Sequence, residues 1–233
     1  MKFTSLEPAT FIQRDNRFRV QVRVAGRTQA AHLPNSGRLE ELLVPGRQVW
    51  VVPIDLARRP KRRTAYDLAL VEYAGRLVSV DARLPSHLVA EALQKGQLAE
   101  FERYTDVRRE VNLGQSRIDF QLYAEDDPAP CWIEVKSVTL VKSGTARFPD
   151  APTARGRRHV RELIEAVKQG HQAAVAFVIQ RDDAQRFTPH DQADPAFGQV
   201  LRQAAQSGVR VHAWRCQVSR ASIQLLDQVP VDL

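Results

Sequence analysis

The stretch that decides the fold is residues 116–140, which read SRIDFQLYAEDDPAPCWIEVKSVTL. Polar and apolar residues alternate from Ser116 to Tyr123 and again, more loosely, from Cys131 to Leu140. This period of two is typical of β-strands. Between the two runs, Glu125-Asp126-Asp127-Pro128 is a turn signal. The stretch therefore predicts a β-hairpin.

The polar side of this hairpin carries the residues that predict chemistry. Residues two apart on a strand point to the same side, so Glu134 and Lys136 share a face. In a hairpin centred near Asp127, Asp119 falls opposite the stretch around Val135. Two carboxylates provide the oxygen ligands that Mg²⁺ or Mn²⁺ takes, and a neighbouring lysine can orient water or neutralise charge on phosphorus. We therefore predict a phosphodiester-hydrolysing site of Asp119, Glu134 and Lys136, with the two acids as metal ligands.

A helical pattern upstream of the hairpin supplies another acid. Residues Pro85 to Lys95 place Leu88 and Leu93 on one apolar stripe, and Glu91 flanks that stripe. Glu91 is the predicted fourth catalytic residue and a further metal ligand. An alternative explains the same hairpin pattern: an exposed sheet face often carries Asp, Glu and Lys in a solvated cross-strand ion pair.

The order of elements around the hairpin predicts two domains, residues 1–83 and 84–233. After the hairpin, strands alternate with helices, which predicts an α/β (α+β) domain with a mixed sheet flanked by helices. These elements are helices at Thr153–Gln169 and Pro195–Gln206 and strands at Ala173–Gln180 and Val209–Trp214. Before it, strand patterns at 17–24, 48–54, 66–73 and 77–80 are separated by turn signals, which predicts a small antiparallel barrel of the oligonucleotide-binding (OB) class.

Basic residues are concentrated in the first third of the chain. The formal net charge is +7, and residues 1–83 carry the whole excess, with 15 basic against 8 acidic side chains. A basic domain beside a neutral one favours a polyanionic partner, most often a nucleic acid. The predicted phosphate contacts come from an exposed loop and from the start of a helix: Arg58, Arg59, Lys61, Arg62, Arg63, Arg155, Arg157 and Arg158. A basic charge that serves only solubility is the alternative.

Several classes of protein are excluded. The chain is 43% hydrophobic and 26% charged, which is typical of a globular protein and not of a disordered one. The longest apolar run, Ala173 to Ile179, is far shorter than a membrane span, and the first residues show no secretory signal, so we expect a cytoplasmic protein. Zinc-protease, P-loop and dinucleotide-binding motifs do not occur in the sequence.

Five segments together resemble the sugar fermentation stimulation protein A (SfsA) family: His32–Gly37, Ser116–Phe120, Glu134–Leu140, Phe148–Ala151 and His159–Leu163. The resemblance implies an OB-like barrel followed by a PD-(D/E)xK nuclease-like domain. It also implies DNA binding without strong sequence preference and a regulatory role in sugar (maltose) metabolism. In the nuclease pattern, Glu91 matches the helical acid, Asp119 the metal-bridging acid, and Glu134 with Lys136 the E-x-K pair.

Three functional hypotheses follow from the sequence. The first is a DNA-binding protein with little sequence specificity that carries a nuclease-like metal site. The second is an active Mg²⁺- or Mn²⁺-dependent deoxyribonuclease. The third is a metabolic or stress-response scaffold that binds no nucleic acid. Salt-dependent binding of random duplex DNA distinguishes the first two from the third.

Overall fold

The first domain is the predicted barrel. In the computed structural model, which describes residues 1–3, 5–57 and 61–233, the third strand pairs with both the second and the fifth and so closes the barrel. The strand order is β3-β2-β1-β4-β5-β6. The strands are β1 (Glu7–Asn16), β2 (Arg19–Val24), β3 (Arg27–His32), β4 (Gln48–Pro53), β5 (Tyr66–Tyr73) and β6 (Arg76–Ser79).

Alternation in β2 explains why this region folds as a barrel. Val20, Val22 and Val24 point inward and are buried, and Phe11 of β1 lies opposite Val22. Strands β1 and β3 were not expected from the sequence, because their polar residues interrupt the pattern of period two. They form because hairpin pairing with β2 satisfies their backbone groups on a barrel whose interior is already apolar.

The second domain is built on a six-stranded mixed sheet with the order β15-β14-β12-β9-β8-β7. Strands β9, β12 and β14 are parallel neighbours, and the outer pairs are antiparallel. The elements are α1 (Leu84–Gln94), β7 (Asp106–Leu113), β8 (Ser116–Ala124), β9 (Asp127–Val138), β10 (Val141–Lys142), β11 (Thr145–Phe148), α2 (Ala154–Lys168), β12 (Gln172–Ile179), β13 (Arg186–Pro189), α3 (Pro195–Gln206), β14 (Arg210–Val218) and β15 (Ile223–Gln228). Strands β10, β11 and β13 form a small separate sheet. The predicted fold class, a barrel followed by a mixed sheet flanked by helices, is confirmed.

Helices cover both faces of the large sheet, and side chains of β9 pack in the apolar clusters on both faces. Trp132 of β9 packs in one apolar cluster with Val160 and Leu163 of α2. Ile133 packs in the other cluster with residues of α1, among them Leu88. Because side chains alternate along a strand, Glu134 and Lys136 lie on the same face as Trp132, beneath α2.

The two domains meet through direct hydrogen bonds. The Ser79 N–H donates to the Gln180 carbonyl (3.1 Å), and the Ser79 hydroxyl donates to the Gln180 side chain (2.9 Å). Gly37 approaches the Asp150 carboxylate so closely that a Cβ at position 37 would collide with it. The junction is therefore tightly packed where the barrel meets the loop after β11. The limits 1–83 and 84–233 stay a prediction.

The first residues of the chain contact the second domain. The Phe3 N–H donates to the Ala221 carbonyl (2.9 Å), and Lys2 forms a bridge with Ser222. Across the described residues 1–3, 5–57 and 61–233, each helix is too short or too polar to cross a bilayer.

Candidate metal and phosphate site

The site forms where the ladder between β8 and β9 opens. Paired residues run along the hairpin as far as Phe120 opposite Ile133. Beyond that pair, the Val135 N–H donates to Oδ2 of Asp119 at 2.8 Å. The carboxylate of Asp119 thus takes the place of a backbone acceptor and lies at the point where the strands separate. Asp119 contacts Val135, in the stretch that the hairpin pattern placed opposite it.

The two carboxylate oxygens of Glu134 differ in their hydrogen bonding. Its Oε1 accepts from Nζ of Lys136 at 2.6 Å and lies 2.5 Å from Nδ1 of His159. Its Oε2 is buried and finds no hydrogen-bond partner among the residues described, although the side chain is only 5% exposed. A buried carboxylate oxygen without a donor is costly, so Oε2 is the atom that a cation would satisfy.

The proton position on His159 follows from its second contact. Nε of Arg155 donates to Nε2 of His159 at 3.2 Å. A guanidinium can only donate, so Nε2 is the acceptor in this contact and Nδ1 carries the hydrogen that faces Glu134. His159 therefore donates to Glu134, and Arg155 fixes the tautomer that makes this possible.

The two acids have opposite electrostatic environments. Burial, reinforced by the nearby charge of Glu134, raises the pKa of Asp119 to about 6. Burial also opposes ionisation of Glu134, but Lys136 and His159 outweigh it and hold its pKa below the ordinary value. Near neutral pH, Glu134 is firmly ionised, and Asp119 is mostly ionised but takes up a proton as the pH falls through about 6.

A divalent cation fits this donor set. Over the described part of the chain, no three His, Cys, Asp or Glu side chains cluster so as to hold a metal ion. Mg²⁺ does not require such a cage, because it keeps several waters and is usually bound by one or two carboxylates together with substrate phosphate. Asp119 and the unpartnered Oε2 of Glu134 supply those carboxylates.

Arginines from both domains line the cavity above the acids. The cavity, about 590 Å³, is lined by Asp119, Glu134 and Lys136 and also by Arg17, Arg147 and Arg155. Arg17 comes from the barrel, Arg147 from β11 and Arg155 from α2. Nε of Arg147 is buried, with no hydrogen-bond partner within the described ranges. The guanidinium groups, one of which has an unpartnered N–H, can bind an anion above the two carboxylates. The same anion can then also contact a cation that those carboxylates hold.

The structure does not bring Glu91 to this site, and its predicted role as catalytic acid and metal ligand is wrong. Glu91 lies on α1, which packs on the opposite face of the sheet from Glu134. Its carboxylate pairs with Lys95 (2.6 Å) and with the amino group of Met1 (3.2 Å). The helical pattern located the helix, but the sequence alone does not show which face of the sheet it covers.

Some of the predicted phosphate-binding residues already pair with acidic side chains of the protein, and others are exposed. Arg157 pairs with the buried Asp194 (2.6 Å), and Arg62 pairs with Asp67, so both guanidinium groups serve internal contacts. Lys61, Arg63, Arg155 and Arg158 are exposed. Arg58 and Arg59 lie outside the described residues.

Three residues of the site were not assigned from the sequence: His159, Arg17 and Arg147. His159 lies one helical turn after Arg155, a spacing that places the two side chains on the same face of α2. That spacing was a usable signal. Arg17 and Arg147 gave none. Arg17 reaches the cavity only through the packing of the barrel against the second domain, and Arg147 only through the packing of the small sheet beside the large one.

Family models match both halves of the chain. The model described as "Sugar fermentation stimulation protein RE domain" matches residues 83–222, and the model described as "SfsA N-terminal OB domain" matches residues 12–80. The chain belongs to the SfsA family. Its relatives include sugar fermentation stimulation protein homologs of Moorella thermoacetica, 45% identical over 98% of this chain and 97% of that protein, and of Symbiobacterium thermophilum, 47% identical over 97% of this chain and 94% of that protein.

A solved structure shares the whole fold. The structure of Pyrococcus furiosus SfsA in complex with Ca²⁺ has a TM-score of 0.91 to this chain at 29% sequence identity. The match covers 100% of this chain and 98% of that one. The family and the two-part architecture predicted from sequence are therefore confirmed over the full length.

Proposed function

We propose that this protein binds DNA through its phosphates, with little sequence specificity, and holds one phosphodiester in the cavity between its domains beside a Mg²⁺ or Mn²⁺ ion. The observation that carries the proposal is the unpartnered Oε2 of Glu134 in a cavity that arginines of both domains also line. The Ca²⁺ bound by Pyrococcus furiosus SfsA supports a divalent cation as the ligand.

The residues of the cavity have distinct roles in this proposal. Asp119 and Glu134 hold the cation. Arg17, Arg147 and Arg155 contact non-bridging phosphate oxygens, and the exposed Lys61, Arg63 and Arg158 contact phosphates further along the backbone. Contacts of this kind position a duplex without reading its bases, which is why little sequence preference is expected.

Hydrolysis of the bound phosphodiester is the second candidate function. The observation that favours it is Lys136, which lines the cavity with a side chain only 10% exposed and has its Nζ 2.6 Å from Oε1 of Glu134. A divalent cation here would supply a polarised phosphoryl oxygen and a more acidic water. Lys136 would orient that water and offset negative charge as it develops on the phosphate. On this account the protein is a Mg²⁺- or Mn²⁺-dependent deoxyribonuclease.

The family resemblance also implied a regulatory role in sugar metabolism. In our proposal such a role is a consequence of DNA binding and needs no sugar ligand. Like the main proposal, this role requires that the protein bind DNA at physiological salt.

Two measurements test the proposal in order. The first is the affinity for random duplex DNA as a function of salt, for which we expect a steep linear fall of log K against log salt because bound counterions are released. Binding that salt leaves unchanged would contradict the phosphate account. The second is incubation with plasmid, single-stranded and branched DNA with Mg²⁺, Mn²⁺ or EDTA, comparing the wild type with Asp119→Asn. Identical behaviour of the two proteins on every substrate would remove the nuclease candidate and leave the binding function.

A further inference from the structure

Phe18 is an exposed aromatic side chain on the barrel. It is 47% exposed, more than any other large hydrophobic residue that the structure describes. It follows β1 and directly precedes β2, in the short connection that also holds Arg17. Its ring lies 6.3 Å from that of His32, at an interplanar angle of 31°.

The main chain around Phe18 is held rigidly. The Phe18 N–H donates to Oδ1 of Asn16 (2.9 Å), and its carbonyl accepts from the Leu33 N–H (2.9 Å) and contacts Nδ1 of His32 (3.0 Å). The guanidinium of Arg14 donates to the carbonyls of Asn16 (3.1 Å) and Arg17 (2.7 Å). These hydrogen bonds fix the main chain of the connection, which therefore holds the apolar Phe18 at the protein surface.

The chain on either side of the Phe18–His32 pair reaches the phosphate cavity. Arg17, its neighbour in the chain, lines the cavity. On the other side, His32 leads through Leu33 and Pro34 into Asn35, Ser36 and Gly37, which line the cavity as well. Phe18 and His32 are therefore close in the chain to two barrel segments that line the cavity.

We propose that Phe18, backed by His32, is a stacking platform for an unpaired DNA base next to the bound phosphodiester. This inference rests on the proposed DNA-binding function and assigns its substrate class: single-stranded or locally unpaired DNA. Every base has an apolar face, so stacking on an aromatic ring adds affinity without sequence preference, provided that the base is free of its partner strand. The ring cannot stack on a base that remains paired inside a duplex.

The test compares two nucleic acids on two proteins. Affinities of the full chain for fluorescent oligothymidine of about 12 nucleotides, a length within OB-fold site sizes, and for a duplex of similar length are measured in EDTA, so that no strand is cut. We expect Phe18→Ala to weaken oligothymidine binding by about five- to 100-fold and to leave duplex binding within about twofold. Phe18→Tyr keeps the ring and should restore the affinity.

A spectroscopic arm reports the contact directly. Trp50, Trp132 and Trp214 are buried, so a tryptophan in Phe18→Trp is an exposed probe whose fluorescence stacking should quench when oligothymidine is added. Leu226→Trp is the matched control, because Leu226 is similarly exposed (41%) but lies on β15, at the far edge of the large sheet from β8 and β9. Its fluorescence should not change.

The outcomes separate this inference from the function on which it rests. If Phe18→Ala binds each DNA form as tightly as the wild type does, or if Phe18→Trp shows no quenching, the stacking platform is overturned and DNA binding stays intact. Absence of binding by the wild type to either form, in EDTA and also with a divalent cation present, would overturn the proposed function itself.

Discussion

Nδ1 of His159 lies 2.5 Å from Oε1 of Glu134, and Nε2 of the same ring accepts from Nε of Arg155 at 3.2 Å. Together with Lys136, this histidine saturates one oxygen of Glu134 and leaves the other without a partner. Lys136 and His159 therefore orient the carboxylate before any cation arrives, and they do not themselves bind the cation.

His159 is expected to act as a positioning residue for the metal ligand Glu134. Partners that orient a ligand typically contribute 10- to 100-fold to metal affinity, so we expect His159→Ala to weaken Mn²⁺ binding by about that factor. His159→Gln, whose amide can still donate to Glu134, should recover part of it. Isothermal titration checks both variants, with Arg161→Ala on the exposed face of α2 as the control. Equal Mn²⁺ affinities in all four proteins would contradict the role.

The raised pKa of Asp119 predicts a distinctive pH dependence of stability. The folded-state pKa is about 6 and the ordinary value 3.8, so the protonated carboxyl stabilises the metal-free fold at low pH, and this contribution is lost as pH rises through about 6. Asp119→Asn cannot ionise, so at pH 8 in EDTA we expect it to be more stable than wild type by up to about 3 kcal/mol. At pH 4 the difference should nearly vanish. Urea unfolding across this range measures it, and parallel pH curves would contradict it.

Arg157 and Arg158 are adjacent on α2 but are expected to differ in role. Arg157 neutralises Asp194, a side chain only 3% exposed that also caps α3. Arg157→Ala should therefore lower the free energy of unfolding by about 3 kcal/mol. The exposed Arg158→Ala should change it by less than about 0.5 kcal/mol but weaken DNA binding. Chemical denaturation and a gel shift on both variants test this contrast, and equal stabilities would contradict it.

Arg147 is expected to contact one phosphate. Replacing it with alanine should reduce the slope of log K against log salt by about one, uniformly across DNA sequences. Arg202→Ala is the control, because Arg202 is already paired with Asp191 (2.5 Å) on the surface of α3. If the two variants have the same slope as the wild type, Arg147 makes no phosphate contact.

Local patterns in the sequence were sufficient for much of the fold. The alternation around Asp119 and Glu134 predicted the hairpin and placed the two acids together, because a strand fixes the side of every second residue. The apolar run at Ala173 to Ile179 predicted the central strand β12 because a strand covered on both faces needs apolar residues at every position.

The parts that the sequence did not predict depend on tertiary packing. Glu91 was wrongly placed because helical periodicity identifies the buried stripe of α1 but not the sheet face that it covers. Arg157 carries the same charge as Arg158, and only the position of Asp194 makes one internal and leaves the other exposed. Arg17 enters the site across the domain junction and Arg147 from the small sheet, and no local pattern encodes either approach.

The most direct test of the central claim is an anomalous difference map from a crystal of the full chain soaked in Mn²⁺. We predict one strong peak within coordination distance of Asp119 and of Oε2 of Glu134, and its loss in a crystal of Glu134→Gln. A fully soaked crystal with no peak between these two acids, or with the same peak in Glu134→Gln, would contradict the claim.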